Sequence, residues 1–173
     1  MNTEQVILVD HRDNEIGTAE KMEAHLQGLL HRAFSVFIFN SKGELLLQQR
    51  ALIKYHSPGL WTNTCCSHPK PGEDTISAAH RRLQEEMGLS CDLQLAFSFV
   101  YKAELDQGLT EHEFDHVFIG KTDLLPETNP EEVMAHRYIS TDQLNEWMEK
   151  DQRQFTAWFK ICWPTVKEHL PYN

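Results

Sequence analysis

With 173 residues, 40% hydrophobic and 10% aromatic, the chain carries enough apolar side chain for one substantial core and reads as a single domain over residues 1–173. A formal net charge of −10 argues against a broad basic surface for nucleic acid and leaves room for a small anion held by a few local cations. The longest apolar runs, such as Phe34 to Phe39, are too short to span a membrane, and Met1-Asn2-Thr3-Glu4-Gln5 lacks the basic start and apolar run of a secretory signal, so a cytoplasmic protein with no membrane partner is expected.

Along the chain, Val6 to Val9 reads as a strand and Asp10 to Asn14 as a polar turn. Ala33 to Asn40 and Glu44 to Arg50 form a predicted hairpin around Ser41-Lys42-Gly43. Ile53 to Pro71 reads as loop. Thr75 to Met87 carries Ile76, Ala79, Leu83 and Met87 at helical spacing and is stopped by Gly88. Leu93 to Glu104 and Phe114 to Thr122 are predicted strands around a loop at Asp106 to Gly108. Arg137 to Ile139 is a short strand, and helices are expected over Thr141 to Lys150 and Phe155 to His169. This order fits an α+β fold, an α/β sandwich with a mixed sheet flanked by helices.

Within the loop, W-T-N-T-C-C-S-H-P holds two adjacent thiols and an imidazole next to prolines that forbid a helix. On an extended chain alternate residues share a side, so Cys66 and not Cys65 faces the way His68 faces. Four cysteines with two adjacent do not resemble a disulfide framework, and reduced thiols are expected. By the same alternation Glu111 and Glu113 point one way.

The helix carries Arg81, Arg82, Glu85 and Glu86. Together with Glu73, Leu83, Gly88 and Leu89 they resemble the Nudix box, G-x5-E-x7-R-E-U-x-E-E-x-G-U, whose glutamates bind divalent metal and a diphosphate-containing substrate. Two positions depart from it: Ser67 stands at the first glycine, and Arg82 replaces the glutamate after the box arginine. A guanidinium there suits holding a diphosphate rather than breaking it.

Outside the box, G-T-A-E-K at Gly17 to Lys21, L-H-R-A-F-S-V-F-I-F-N at Leu30 to Asn40, L-L-L-Q-Q-R at Leu45 to Arg50, W-T-N-T-C-C-S-H-P at Trp61 to Pro69 and E-H-E-F-D-H at Glu111 to His116 resemble the type I isopentenyl-diphosphate delta-isomerases. That resemblance implies a Nudix-like fold and interconversion of isopentenyl and dimethylallyl diphosphate, by protonating one alkene carbon and deprotonating another. It places proton transfer at Cys66 and Glu113, assisted by the Tyr101 hydroxyl, and the Trp158 indole over the carbocation, with Trp163 a possible decoy. It implies His25, His31, His68, Glu111 and Glu113 around one divalent ion, Mn²⁺ or Mg²⁺ with Zn²⁺ a competitor. Glu86 would serve a Mg²⁺ arriving with substrate, and Lys21, Arg50, Lys54, Ser67 and Arg82 would hold the diphosphate. The remaining histidines, His56 among them, read as structural or surface residues, and a monomer is favoured. Two other readings stay open: a Nudix hydrolase of a nucleoside or isoprenoid diphosphate, and a non-catalytic diphosphate-binding module.

Overall fold

The computed structural model describes residues 3–171; Met1 and Asn2 of the N-terminal segment and the last two residues lie outside them. The order is β1 (Gln5–Val9), β2 (Glu15–Glu20), α1 (Lys21–Gln27), β3 (His31–Phe39), β4 (Leu45–Arg50), β5 (Trp61–Thr62), β6 (Cys65–Ser67), α2 (Thr75–Met87), β7 (Leu93–Glu104), β8 (Thr110–Lys121), β9 (Val133–Ile139), α3 (Thr141–Lys150) and α4 (Ala157–Glu168). The strands join one mixed sheet in which β3 and β8 run parallel and the other pairs antiparallel. No helix of the described residues is long and apolar enough to cross a membrane.

Alternation along β3 divides the molecule. Phe34, Val36 and Ile38 face α2, packing with Ala78, Ala79, Leu83 and Met87. Phe37 and Phe39 face the other way, into a core with Leu144, Phe159, Trp163 and Val166 from α3 and α4. Both faces are buried, which is why Ala33 to Phe39 is apolar without interruption except at Ser35. Helix α2 begins at Asp74, whose carboxylate accepts the Ser77 N–H at 3.1 Å. It ends at Gly88 with φ 62°, where a Cβ would sit 2.6 Å from the Glu127 carbonyl, so only glycine fits.

Four sequence readings are corrected. Residues 15–27, left unassigned by the pattern, form β2 and α1. The predicted loop from Ile53 to Pro71 contains β5 and β6, and the last helix starts two residues later than Phe155, capped by the Thr156 hydroxyl. The predicted hairpin is splayed: β3 and β4 pair only at Phe39 and Leu45, and their long partners are β8 and β9. The reason lies in Asn63 and Thr64, which wedge the two strands apart and replace the ladder with side-chain bonds. The Thr64 hydroxyl accepts from the Ile38 N–H at 2.9 Å and donates to the Leu46 carbonyl at 2.6 Å, while the Asn63 amide donates to the Val36 carbonyl at 3.1 Å. All these groups are buried, where an unmade hydrogen bond costs roughly 1–3 kcal/mol, so the wedge is firmly held. It delivers β6 alongside β3, with Ser35 opposite Cys66 and Val36 opposite Cys65.

Candidate active site

Pairing in register puts His31, Ser35, Glu111, Glu113, Asp115 and Cys66 on the side of the sheet that α4 covers, and Cys65 and Ser67 on the α2 side. A cavity of about 50 Å³ opens at this point. Its lining includes Cys66, Ser67, His68, Glu111, Glu113 and Trp158, together with Lys21, Arg50, Lys54, Arg82 and Glu86. Cys65, by contrast, is fully buried in the α2 core.

The histidines are set for metal. His25, in the last turn of α1, donates its Nδ1–H to the Lys21 carbonyl at 2.7 Å, and His31 donates its own to the Leu29 carbonyl at 2.8 Å. Each bond fixes a tautomer that leaves an Nε2 lone pair facing inward, the arrangement of imidazoles that ligate metals. His31 Nε2, His68 Nδ1 and Glu111 Oε2 are buried without a hydrogen-bond partner. Nitrogen and oxygen ligand atoms of His25, His31, His68 and Glu111 all lie within 4.8 Å of one another. Orphaned buried donors and acceptors in this density carry a heavy desolvation cost, and a divalent cation relieves it. The residues therefore fit a divalent ion. Glu113 adjoins the group, 2.8 Å from His68 Nε2 and 3.3 Å from His31 Nε2. Glu86 does not: its oxygens accept from the Cys65 thiol at 2.7 Å and from Arg82 at 3.2 Å.

Electrostatics separates the carboxyls. Burial and the neighbouring Glu111 charge push Glu113 up, yet His31 and His68 outweigh them and hold it below the usual range. Burial likewise opposes ionisation of Glu111, and the adjacent His25 and His56 imidazoles overcome it, holding the carboxyl well below the usual range. Asp115 and Glu86 go the other way, raised first by burial. Burial also pushes the Cys66 thiol up, keeping it protonated. The Tyr101 hydroxyl, buried and raised for the same reason, donates to Glu113 Oε1 from the facing position on β7.

The cations reach the cavity already paired. Lys21 contacts Glu4 at 3.0 Å, while Lys54 and Arg82 share Glu132, at 2.6 and 3.4 Å. The Arg50 guanidinium lies 5.1 Å from the Trp158 ring, and its Nη2–H bonds the His56 carbonyl at 3.1 Å. Arg81 and Glu73 form a two-bond pair, at 2.8 and 2.9 Å, that ties the preceding turn to α2. Of the two tryptophans on α4, Trp158 lines the cavity, whereas Trp163 stacks in the core on Phe159 and bonds Asn145 at 3.1 Å. Trp163 is a core residue.

One histidine set aside above belongs here. His56 is 4% exposed, lines the cavity and brings Nε2 within 3.3 Å of Glu111 Oε1. Nothing in the loop sequence around it signals this. Asp115 and Glu132 also went unnamed. For Asp115 the signal was available, since the two-residue period from Glu111 through Glu113 leads to it.

Comparison with known proteins gives the family. The NUDIX domain model matches residues 29–159. An isopentenyl-diphosphate Delta-isomerase of Pectobacterium atrosepticum is 53% identical over 95% of this chain and 92% of its own length. One from Serratia proteamaculans is 54% identical over 90% of this chain and 87% of its own. Among solved structures, a Deinococcus radiodurans protein matches with TM-score 0.70 at 20% identity, covering 86% of this chain and 90% of that one. A MutT protein from Methanosarcina mazei matches with TM-score 0.66 at 19% identity, covering 80% and 94%. These two likenesses speak to the fold alone; it is the identity with the isomerases, over nine-tenths or more of the chain, that shows the chain belongs to the isopentenyl-diphosphate Delta-isomerase family within the NUDIX fold.

Proposed function

We propose that the chain, acting as one domain on a small-molecule substrate, interconverts isopentenyl and dimethylallyl diphosphate, with Cys66 and Glu113 as its proton-transfer groups. The observation that carries this reading is the placement of the Cys66 thiol and a carboxylate bonded by a tyrosine hydroxyl around one cavity that is also lined by a tryptophan and by cations.

The alkene of isopentenyl diphosphate is a weak base. A proton added to its terminal carbon leaves a tertiary carbocation, and loss of a proton from the carbon on the diphosphate side gives the dimethylallyl isomer. One of Cys66 and Glu113 supplies the first proton and the other accepts the second, with Tyr101 carrying the proton to or from Glu113. Between these steps the Trp158 face stabilises positive charge without bonding to it. The same indole, buried at the start of α4, helps keep out the water that would trap the cation.

Lys21, Arg50, Lys54, Ser67 and Arg82 hold the diphosphate. Binding exchanges carboxylate partners for phosphate oxygens, because Lys21, Lys54 and Arg82 are ion-paired in the free protein. His25, His31, His68, Glu111 and Glu113 would hold a divalent ion, Mn²⁺, Mg²⁺ or Zn²⁺, whose charge anchors Glu113 in its ionised form and fixes it beside the alkene. Glu86 would take a Mg²⁺ brought in by the diphosphate, in exchange for its bond to Arg82. Incubation with isopentenyl diphosphate and Mg²⁺, with the products separated by chromatography, tests the reading. Dimethylallyl diphosphate is expected, and its absence from a folded, metal-loaded sample contradicts the proposal.

A further inference from the structure

His56 lies on the loop of residues 51–60 between β4 and β5, closed by the Arg50 N–H on the Leu60 carbonyl at 2.9 Å and the Gly59 N–H on the Arg50 carbonyl at 3.0 Å. Its neighbour Ser57 holds φ at 49°, a left-handed conformation that is strained for a non-glycine residue and clusters at functional sites. The Ser57 hydroxyl, 3.3 Å from His56 Nδ1, can donate to that nitrogen, which puts the ring proton on Nε2, facing Glu111 Oε1 at 3.3 Å. His25 Nε2 approaches the same Oε1 at 3.3 Å, so both imidazoles crowd one oxygen while Glu111 Oε2 remains buried and unpartnered. The other side of the His56 ring meets Trp158 edge to face, with centroids 5.5 Å apart and planes at 90°. Its carbonyl accepts from Arg50, which in turn lies over Trp158.

We propose that His56 is a positioning residue: its Nε2–H holds Glu111 Oε1 so that Oε2 faces the histidine cluster, and its ring edge fixes the plane of the Trp158 indole. One side chain thereby sets the metal pocket and the carbocation wall relative to each other. Groups that orient metal ligands in this way typically change metal affinity by ~10–100-fold when removed. An edge-to-face aromatic contact orients the indole. This inference rests on the proposed roles of Glu111 and Trp158.

Two substitutions take the two contacts apart. His56→Phe keeps the aromatic edge and loses the donor; His56→Gln keeps a donor and loses the ring. Affinity for Mn²⁺, measured by electron paramagnetic resonance of the free ion, is expected to fall about tenfold in His56→Phe and to stay within about threefold of wild type in His56→Gln. In His56→Gln, kcat for isopentenyl diphosphate is expected to fall about tenfold with KM little changed, and tryptophan emission to shift as Trp158 loses its neighbour. Thermal melts accompany each assay. Wild-type Mn²⁺ affinity in folded His56→Phe overturns the proposal, as does a parallel loss of affinity and kcat in both variants that tracks melting temperature. Should His56→Phe not fold, unchanged kcat in His56→Gln overturns it alone. Wild-type protein in the same series separates the two levels: if it neither takes up Mn²⁺ nor isomerises, the function reading fails and His56 with it, whereas wild-type behaviour in both variants sinks only His56.

Discussion

The two sides of β6 are chemically unlike, although only a peptide bond separates Cys65 from Cys66. On the α2 side Cys65 is packed among Phe34, Val36 and Leu83 and donates a hydrogen bond to Glu86; Ser67, Arg82 and Glu86, at Nudix-box positions, line that part of the cavity. On the α4 side Cys66 faces Glu113, Tyr101 and Trp158, next to the imidazole cluster. Under the roles proposed above, the strand would separate Arg82 and Glu86, on the diphosphate side, from Cys66 and Glu113, on the proton-transfer side. Altering one half of a NUDIX fold can change the reaction while the grip on the diphosphate persists, because alternation along three residues keeps the halves apart.

The sharpest way to break this comparison is to truncate each thiol. Cys66→Ala is expected to lower kcat by at least ~10²–10⁴-fold, the range for loss of a proton-transfer group, with melting temperature nearly unchanged. Cys65→Ala leaves Glu86 short of a donor in a tight core and is expected to cost about 1–3 kcal/mol of stability while most turnover survives. Steady-state assays and chemical denaturation of both variants check it; equal activity in the two removes the partition.

Next in size is the metal proposed for the His25, His31, His68 and Glu111 cluster on the α4 side. His68→Ala or Glu111→Gln is expected to lower bound metal and turnover together, by ~10-fold or more, through loss of a ligand or of its charge. Elemental analysis showing full occupancy in both variants contradicts a shared ion.

A smaller effect is expected on the α2 side. Arg82→Ala removes charge-assisted bonds to phosphate worth about 1.5–3 kcal/mol, so KM should rise ~10–100-fold with kcat much less affected. A fall in kcat at constant KM would move Arg82 into the proton-transfer half.

The smallest effect lies outside both halves. The Arg81 guanidinium holds Glu73 below its ordinary 4.5, so the pair stabilises the fold above that pH, and the contribution is lost as pH falls through the lower folded value. Glu73→Gln should cost about 0.5–1 kcal/mol at pH 7, and the gap in melting temperature to wild type should close as pH falls below the ordinary carboxylate range. A constant gap across that range would assign the cost to packing.

Much of this was legible in sequence for physical reasons that can be named. The two-residue period separated Cys65 from Cys66 and aligned Glu111 with Glu113, and the 3.6-residue period together with Gly88 bounded α2 closely. The ligand set and the cation roles came from family resemblance, since single charges and histidines in loops have no period to read. His56 shows that limit: its burial depends on a left-handed Ser57 and on contacts with Glu111 and Trp158, 55 and 102 positions away in the numbering. The splayed β3–β4 hairpin escaped for a related reason, because a Ser-Lys-Gly turn between two apolar strands is a hairpin by local rules and the wedge of Asn63 and Thr64 is a tertiary event.

The central claim is that the cavity exchanges protons with an alkene and leaves the diphosphate intact. The most direct measurement is turnover of isopentenyl diphosphate in heavy water, with mass spectrometry of the isoprenoid products and a phosphate-release assay on the same reaction. Deuterium bound to carbon in both isomers, with no phosphate released, is the predicted result. Phosphate release without carbon-bound deuterium would contradict it and return the chain to the hydrolases that share its fold.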